Sequence, residues 1–233
     1  MRVNASHWCS VTSLLPSSAA PARVILLTGP SGSGKSSLAA RTGLPVLNLD
    51  DFYKEGTDPT LPQLPDGGGA DWDSPLSWDA AAAVRAIEEL CRTSRTEVPR
   101  YDIGSSSITG RSTLDIGRTR LFIAEGIFAA DVIERCRELD LLADALCLRG
   151  RPATTFRRRF LRDVREGRKP VVYLLRRGLR LMRGERAIVA RQVALGAHPC
   201  DGQAAMGRIA AAAAAGRRCR AAVRSPHPEE ARA

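Results

Sequence analysis

Gly29-Pro-Ser-Gly-Ser-Gly-Lys-Ser36 fits the pattern G-x-x-x-x-G-K-[ST], whose residue types suit the holding of phosphate. Gly29, Gly32 and Gly34 let main-chain N–H groups approach an anion closely. Lys35 reaches the β- and γ-phosphates, and the Ser36 hydroxyl is an oxygen ligand for Mg²⁺. Ser31, Ser33 and Ser37 complete the nucleotide-binding set. Carboxylates end two apolar runs. Gly43-Leu-Pro-Val-Leu-Asn-Leu-Asp50, followed by Asp51, places an acidic pair where it can bind Mg²⁺ or take a proton from an acceptor hydroxyl. Alternatively one aspartate, Asp51 above all, caps the next helix. Thr119-Arg-Leu-Phe-Ile-Ala-Glu-Gly126 offers Glu125 as a second metal-site carboxylate, reaching Mg²⁺ through water. Thr154 to Glu166 has Phe156, Phe160 and Val164 at helical spacing and Arg158, Arg162 and Arg165 on another face. Such a segment suits a lid offering forked donors to a transferring phosphoryl group; it equally suits a solvated basic face or a nucleic-acid patch.

The elements around these residues predict their placement. Arg23 to Thr28 reads as a buried parallel strand and Ser37 to Arg41 as the start of a helix, so phosphate would meet N–H groups at a strand-to-helix turn. Thr57 to Gly69 must be a loop. Ser74 and Pro75 read as the cap and first residue of a helix, with Ala80, Val84, Ile87 and Cys91 on its core face and Trp72 and Asp73 at its mouth. Glu97 to Asp102, interrupted by Pro99, suits an edge strand or small hairpin. Gly104 to Gly110 reads as a turn, Val132 to Leu139 as a helix and Asp144 to Arg149 as a further strand. Leu174 to Leu195 reads as basic amphipathic helix ending at Gly196-Ala-His-Pro199, and Ala204 to Ala215 as an alanine helix.

The 233 residues carry 35 Lys and Arg against 25 Asp and Glu, a formal charge of +10 that suits polyanions. The six cysteines form no C-x-x-C pair, which argues against a zinc site or a disulfide framework. No apolar run approaches the length of a membrane span, and the opening segment lacks the core of a signal peptide. The expectation is a cytoplasmic α/β protein. A disordered lead over 1–21 precedes a domain over 22–203 with its lid at about 154–169, and an alanine-rich helix and basic tail occupy 204–233.

From Arg23 to Lys169 the chain resembles the uridine kinase family of P-loop kinases, which includes uridine-cytidine kinase and phosphoribulokinase. The P-loop, Asn48-Leu-Asp-Asp-Phe-Tyr53, Trp72-Asp-Ser-Pro75, Pro99-Arg-Tyr-Asp102, Ala124-Glu-Gly-Ile127 and Arg159-Phe-Leu-Arg-Asp163 appear in the family's order. The resemblance implies a P-loop NTPase-type three-layer α/β/α fold, mainly parallel in its sheet, with an arginine-rich lid. It implies ATP and Mg²⁺, and transfer of the γ-phosphate to a primary hydroxyl of a nucleoside or related small metabolite. Asp50 then takes the acceptor's proton, Asp73 and Arg159 hold ribose hydroxyls, Tyr53 and Tyr101 line the acceptor pocket, and Arg162 and Arg168 belong to the lid. The chain departs from the family at Ser106, where uridine-cytidine kinases have a base-reading histidine, and near the C-terminus, where a basic helix replaces the last strand. Two other functions remain open: the same chemistry on another sugar or small alcohol, and a non-catalytic nucleotide-dependent module for RNA or protein.

Overall fold

Side-chain alternation along the strands decides the architecture. The computed structural model describes residues 21–150, 161 and 184–224, with side chains through 216. In chain order the elements are β1 (Arg23–Thr28), α1 (Lys35–Arg41), β2 (Val46–Asn48), a 3-10 turn (Leu49–Phe52), a second (Pro75–Ser77), α2 (Ala80–Thr93), β3 (Arg95–Asp102), β4 (Ser107–Asp115), β5 (Leu121–Glu125), a third 3-10 turn (Ala129–Val132), α3 (Ile133–Glu138), β6 (Leu142–Leu148), a helix α4 over 184–194, β7 (His198–Cys200) and α5 (Gly202–Arg224).

Five strands form one sheet in the order β2-β5-β1-β6-β7, and every pairing in it is parallel. On one face Val24, Leu26, Phe122, Ala124, Ala145 and Cys147 meet α2 and α3. On the other, Ile25, Leu27, Ile123, Leu146 and Leu148 meet Leu38 of α1 and Ala205 and Ile209 of α5. Strands covered on both faces must be apolar at successive positions, and Val24 to Leu27 are buried without a break. The result is the three-layer α/β/α arrangement the sequence predicts. All strands of the sheet end on the same side, so Thr28, Asn48, Glu125 and Leu148 stand at one edge, with Asn48 in register with Glu125.

Several local expectations change. Ser74 caps the 3-10 turn at Pro75, accepting from the Leu76 N–H, while α2 starts later with Asp79 as its cap, accepting from the Ala82 N–H. The residues before Ala80 turn back first, because the Trp78 indole must reach the Leu49 carbonyl at 2.7 Å. The predicted hairpin forms from β3 and β4, but its turn covers only 103–106; Ser107 to Gly110, read as turn, pair as strand. Their polar alternation suits an exposed hairpin rather than a core strand. His198–Cys200 is a short edge strand on β6 that the sequence does not announce, being three residues long and containing Pro199. The alanine helix runs beyond Ala215 to Arg224, and Ala205 and Ile209 press it onto the sheet. Of 174–195, residues 184–194 are helical and 174–183 lie outside the described residues. Cys91, Cys136, Cys147 and Cys200 are buried thiols; burial pushes Cys91 up to about 12 and Cys136 and Cys147 up to about 11. Among the described residues no helix is long and apolar enough to cross a membrane.

Candidate active site

The loop from Gly29 to Gly34 leaves β1 and enters α1 at Lys35, as a phosphate cradle requires. Gly29 has φ 143°, and a Cβ there would stand 2.4 Å from the Leu148 carbonyl oxygen at the end of β6. Only glycine lets the loop pass that strand. Lys35 is 6% exposed, and its Nζ donates to the carbonyls of Gly29 at 2.9 Å and Pro30 at 3.3 Å. Ser33 Oγ is buried and has no hydrogen-bond partner among the described residues. A buried hydroxyl left unmatched costs about 1–3 kcal/mol, a cost that a ligand oxygen at this point would remove. Ser31 and Gly32 are half-buried on the loop, and Ser36 and Ser37 are exposed on the first turn of α1.

The carboxylates gather beside the cradle. Ser36 Oγ donates to Glu125 Oε1 at 2.6 Å. Burial raises the Glu125 pKa; the Ser36 hydrogen bond and the Lys35 cation oppose that rise, and the Asp50 and Asp51 carboxylates add to it. Asp50 lies on the 3-10 turn after β2, and its Oδ1 accepts the Ile127 N–H at 3.2 Å. That approach needs Gly126, where a Cβ would stand 2.9 Å from Asp50 Oδ1 and 2.9 Å from Leu49 Cβ. The two aspartates part company here. Asp51 turns to the hairpin, accepting from Asn48 Nδ2 at 2.8 Å and the Tyr101 N–H at 3.4 Å, and burial raises its pKa. Neither caps a helix; the Asn48 side chain caps the turn through the Asp50 N–H.

Ser36, Asp50 and Glu125 carry oxygens of the hard kind that suit Mg²⁺, and among the described residues no group of three or more His, Cys, Asp or Glu is placed to hold a metal ion.

Next to Asp50 lies an aromatic group. The Tyr53 ring stands 5.7 Å from Tyr101, 5.9 Å from Phe128 and 6.0 Å from Trp72. The two phenols donate to backbone, Tyr53 to the Trp72 carbonyl at 3.3 Å and Tyr101 to the Lys54 carbonyl at 3.2 Å. Asp73 is exposed on the turn after Trp72, its N–H donating to Asp71 Oδ1 at 3.1 Å. Ser106, at φ 52° on the hairpin turn, is fastened to the loop after Tyr53 by the Gly56 N–H donating to its carbonyl at 2.7 Å. A cavity of about 950 Å³ opens behind this group, between α2, residues 53–59 and the hairpin, with Asp51 and Tyr53 on its wall. No P-loop residue lines it. Arg159, Arg162 and Arg168 lie outside the described residues. Phe128 and Thr28 border the candidate site with no motif marking them, and Ile127, which ends the Ala124-Glu-Gly-Ile127 stretch, was given no role by it; their contacts are through backbone or packing, which leaves little compositional trace.

No family model matches the chain. Two Arabidopsis thaliana proteins named inorganic pyrophosphatase, TTM2 and TTM1, are 30% and 31% identical to it over 150 residues, 62% of this chain but 20% and 21% of those proteins. The chain therefore spans about a fifth of the length of these curated relatives. Among solved structures, a protein assigned as a fructose transport system kinase from Silicibacter sp. TM1040 is 21% identical with a TM-score of 0.53, over 76% of this chain and 88% of that one. A structure assigned as a uridine kinase from Bacillus stearothermophilus is 20% identical with a TM-score of 0.43, over 59% of this chain and 76% of that one. The first likeness shows a shared fold.

Proposed function

We propose that the chain is an ATP-dependent kinase that moves the γ-phosphoryl group to a primary hydroxyl of a small metabolite, a nucleoside of the uridine or cytidine kind or a related compound. The observation that carries this is the placing of Asp50 and Glu125 beside a phosphate cradle with an unmatched buried hydroxyl at Ser33. A module that only binds nucleotide has a use for Glu125 near Mg²⁺ but no need of Asp50. Asp50 accepts the proton of the acceptor hydroxyl as its oxygen attacks the γ-phosphorus and the bond to the β-phosphate oxygen breaks, leaving ADP. Lys35 leaves the Gly29 and Pro30 carbonyls to meet the phosphates. Gly29 to Ser37 hold the nucleotide, and Tyr53, Asp73, Tyr101 and Arg159 hold the acceptor. Mg²⁺, held by Ser36 and Glu125 with Asp50 left to the acceptor's proton, would neutralise phosphate charge as it does in phosphoryl transfer generally. Arg162 and Arg168 add lid charge in the transition state, where such groups matter more than a strong base.

The likeness to proteins named inorganic pyrophosphatase favours a second reading, in which water rather than an alcohol attacks a phosphoanhydride at the same cradle. One screen separates the two. The purified chain is given ATP and a panel of nucleosides, sugars and small alcohols, with ADP, free phosphate and pyrophosphate consumption followed in parallel. ADP that appears only with an acceptor, without free phosphate, supports the kinase; pyrophosphate loss or acceptor-independent phosphate release supports hydrolysis.

A further inference from the structure

Gln192 is a polar side chain 2% exposed on α4, the helix with which the described chain resumes after the arginine-rich stretch. A carboxamide this deep must have its groups matched. Its Nε2 donates to the Ile127 carbonyl at 3.0 Å and its Oε1 accepts the Cys147 thiol at 3.2 Å. The Ile127 carbonyl takes a second bond, from Thr28 Oγ1 at 3.2 Å, so both of its lone pairs are engaged. The N–H of the same residue holds Asp50 Oδ1 at 3.2 Å, while Asp50 Oδ2 has no partner among the described residues. Arg191, the neighbour of Gln192, pairs with Asp131 and ties α4 to the 3-10 turn just after Ile127.

Ile127 is thus clamped on its carbonyl side by donors from two elements, the end of β1 and α4, and its N–H side is aimed at the acid. We infer that Gln192 is a positioning residue: its carboxamide fixes Ile127 so that the Ile127 N–H holds one Asp50 oxygen and leaves the other open for an acceptor's proton. Its catalytic consequence rests on the kinase activity proposed above. Without Gln192 the carbonyl keeps a single donor, the Ile127 backbone can rotate, and the Asp50 carboxylate loses its fixed aim. Phrased in rate, misplacement of a reacting group by about 1 Å can cost on the order of 10²-fold.

The test uses the full chain and Gln192→Met, which keeps size and removes both hydrogen bonds. The expected result is a kcat for the best acceptor lower by about tenfold to a hundredfold, a KM for ATP within about twofold, and no further loss when the change is added to Asp50→Asn. Non-additivity of that kind is what action through Asp50 predicts and what a merely structural role does not. An unchanged kcat in folded Gln192→Met, or losses that multiply in the double variant, overturns the inference. Should Gln192→Met fail to fold, Thr28→Val removes the other donor to the same carbonyl and carries the same expectations. If the wild-type chain turns over no acceptor, the kinase proposal falls by itself. The positioning claim is then decided by hydrogen exchange at the Ile127 amide: clearly faster exchange in Gln192→Met upholds it, and an unaltered rate overturns it.

Discussion

Gly126→Ala adds one methyl group at the point where the site is tightest. The new Cβ would stand 2.9 Å from both Leu49 Cβ and Asp50 Oδ1. Carbon atoms in contact settle at about 3.5–4.0 Å, so at least half an ångström must be found. Leu49 is fully buried and its carbonyl holds the Trp78 indole at 2.7 Å, so its Cβ is not free to retreat. The Asp50 carboxylate is the end of a side chain and yields instead, breaking its bond to the Ile127 N–H. Overpacking of this kind costs about 1–3 kcal/mol. At roughly 2–4 °C per kcal/mol for a chain of this size, Tm falls by about 2–12 °C. The effect on turnover is larger, because displacing the proton acceptor by about 1 Å is worth on the order of 10²-fold in kcat. ATP affinity, set by the loop before α1, changes little. Calorimetry, ATP titration and steady-state turnover on one purified variant measure all three. A folded Gly126→Ala protein with wild-type kcat would refute the assignment of Asp50.

Lys35→Ala abolishes turnover while the protein stays folded, since the bonds it gives up to the Gly29 and Pro30 carbonyls belong to the loop rather than the core, at about 1.5–3 kcal/mol for each bond from a charged donor; retained activity in the folded variant contradicts this. Ser33→Ala removes an unmatched buried hydroxyl, so Tm of the nucleotide-free protein rises while the extra stabilisation conferred by ATP shrinks, both read by thermal shift. Glu125 is held above its ordinary value of 4.5, chiefly by burial, so the folded state binds this proton more tightly than the unfolded chain. Its stabilising contribution is whole below about pH 4.5 and is lost as pH rises through the folded value. Glu125→Gln therefore raises Tm at neutral pH, a gain that fades in acid, and lowers turnover; a Tm difference independent of pH counts against the burial of this charge.

The fold was legible in the sequence where it depends on unbroken apolar runs. Val24 to Thr28 and Leu121 to Glu125 are covered on both faces and say so in their composition. His198–Cys200 is too short for any period to speak and contains Pro199, so its pairing with β6 is decided by tertiary context. The cradle was legible because its chemistry demands particular residue types. The resemblance already set Asp50 apart from Asp51, but the contacts that part them were not legible, because they rest on which of two adjacent carboxylates the Ile127 N–H and the Asn48 amide select. Nor did composition mark Gln192, whose role comes from burial against Cys147 and Ile127. A polar residue on a helix carries no sign of which way it faces until the helix is packed.

The most direct test of phosphoryl transfer follows the phosphorus itself. Wild-type and Asp50→Asn proteins are incubated with ATP and the best acceptor, and ³¹P NMR records where the γ-phosphorus goes. The expected outcome is a phosphate monoester on the acceptor with the wild-type chain, formed about 10² to 10⁴ times more slowly by Asp50→Asn at similar ATP affinity. A γ-phosphorus that appears only as inorganic phosphate, or a monoester formed equally fast by both proteins, contradicts the account.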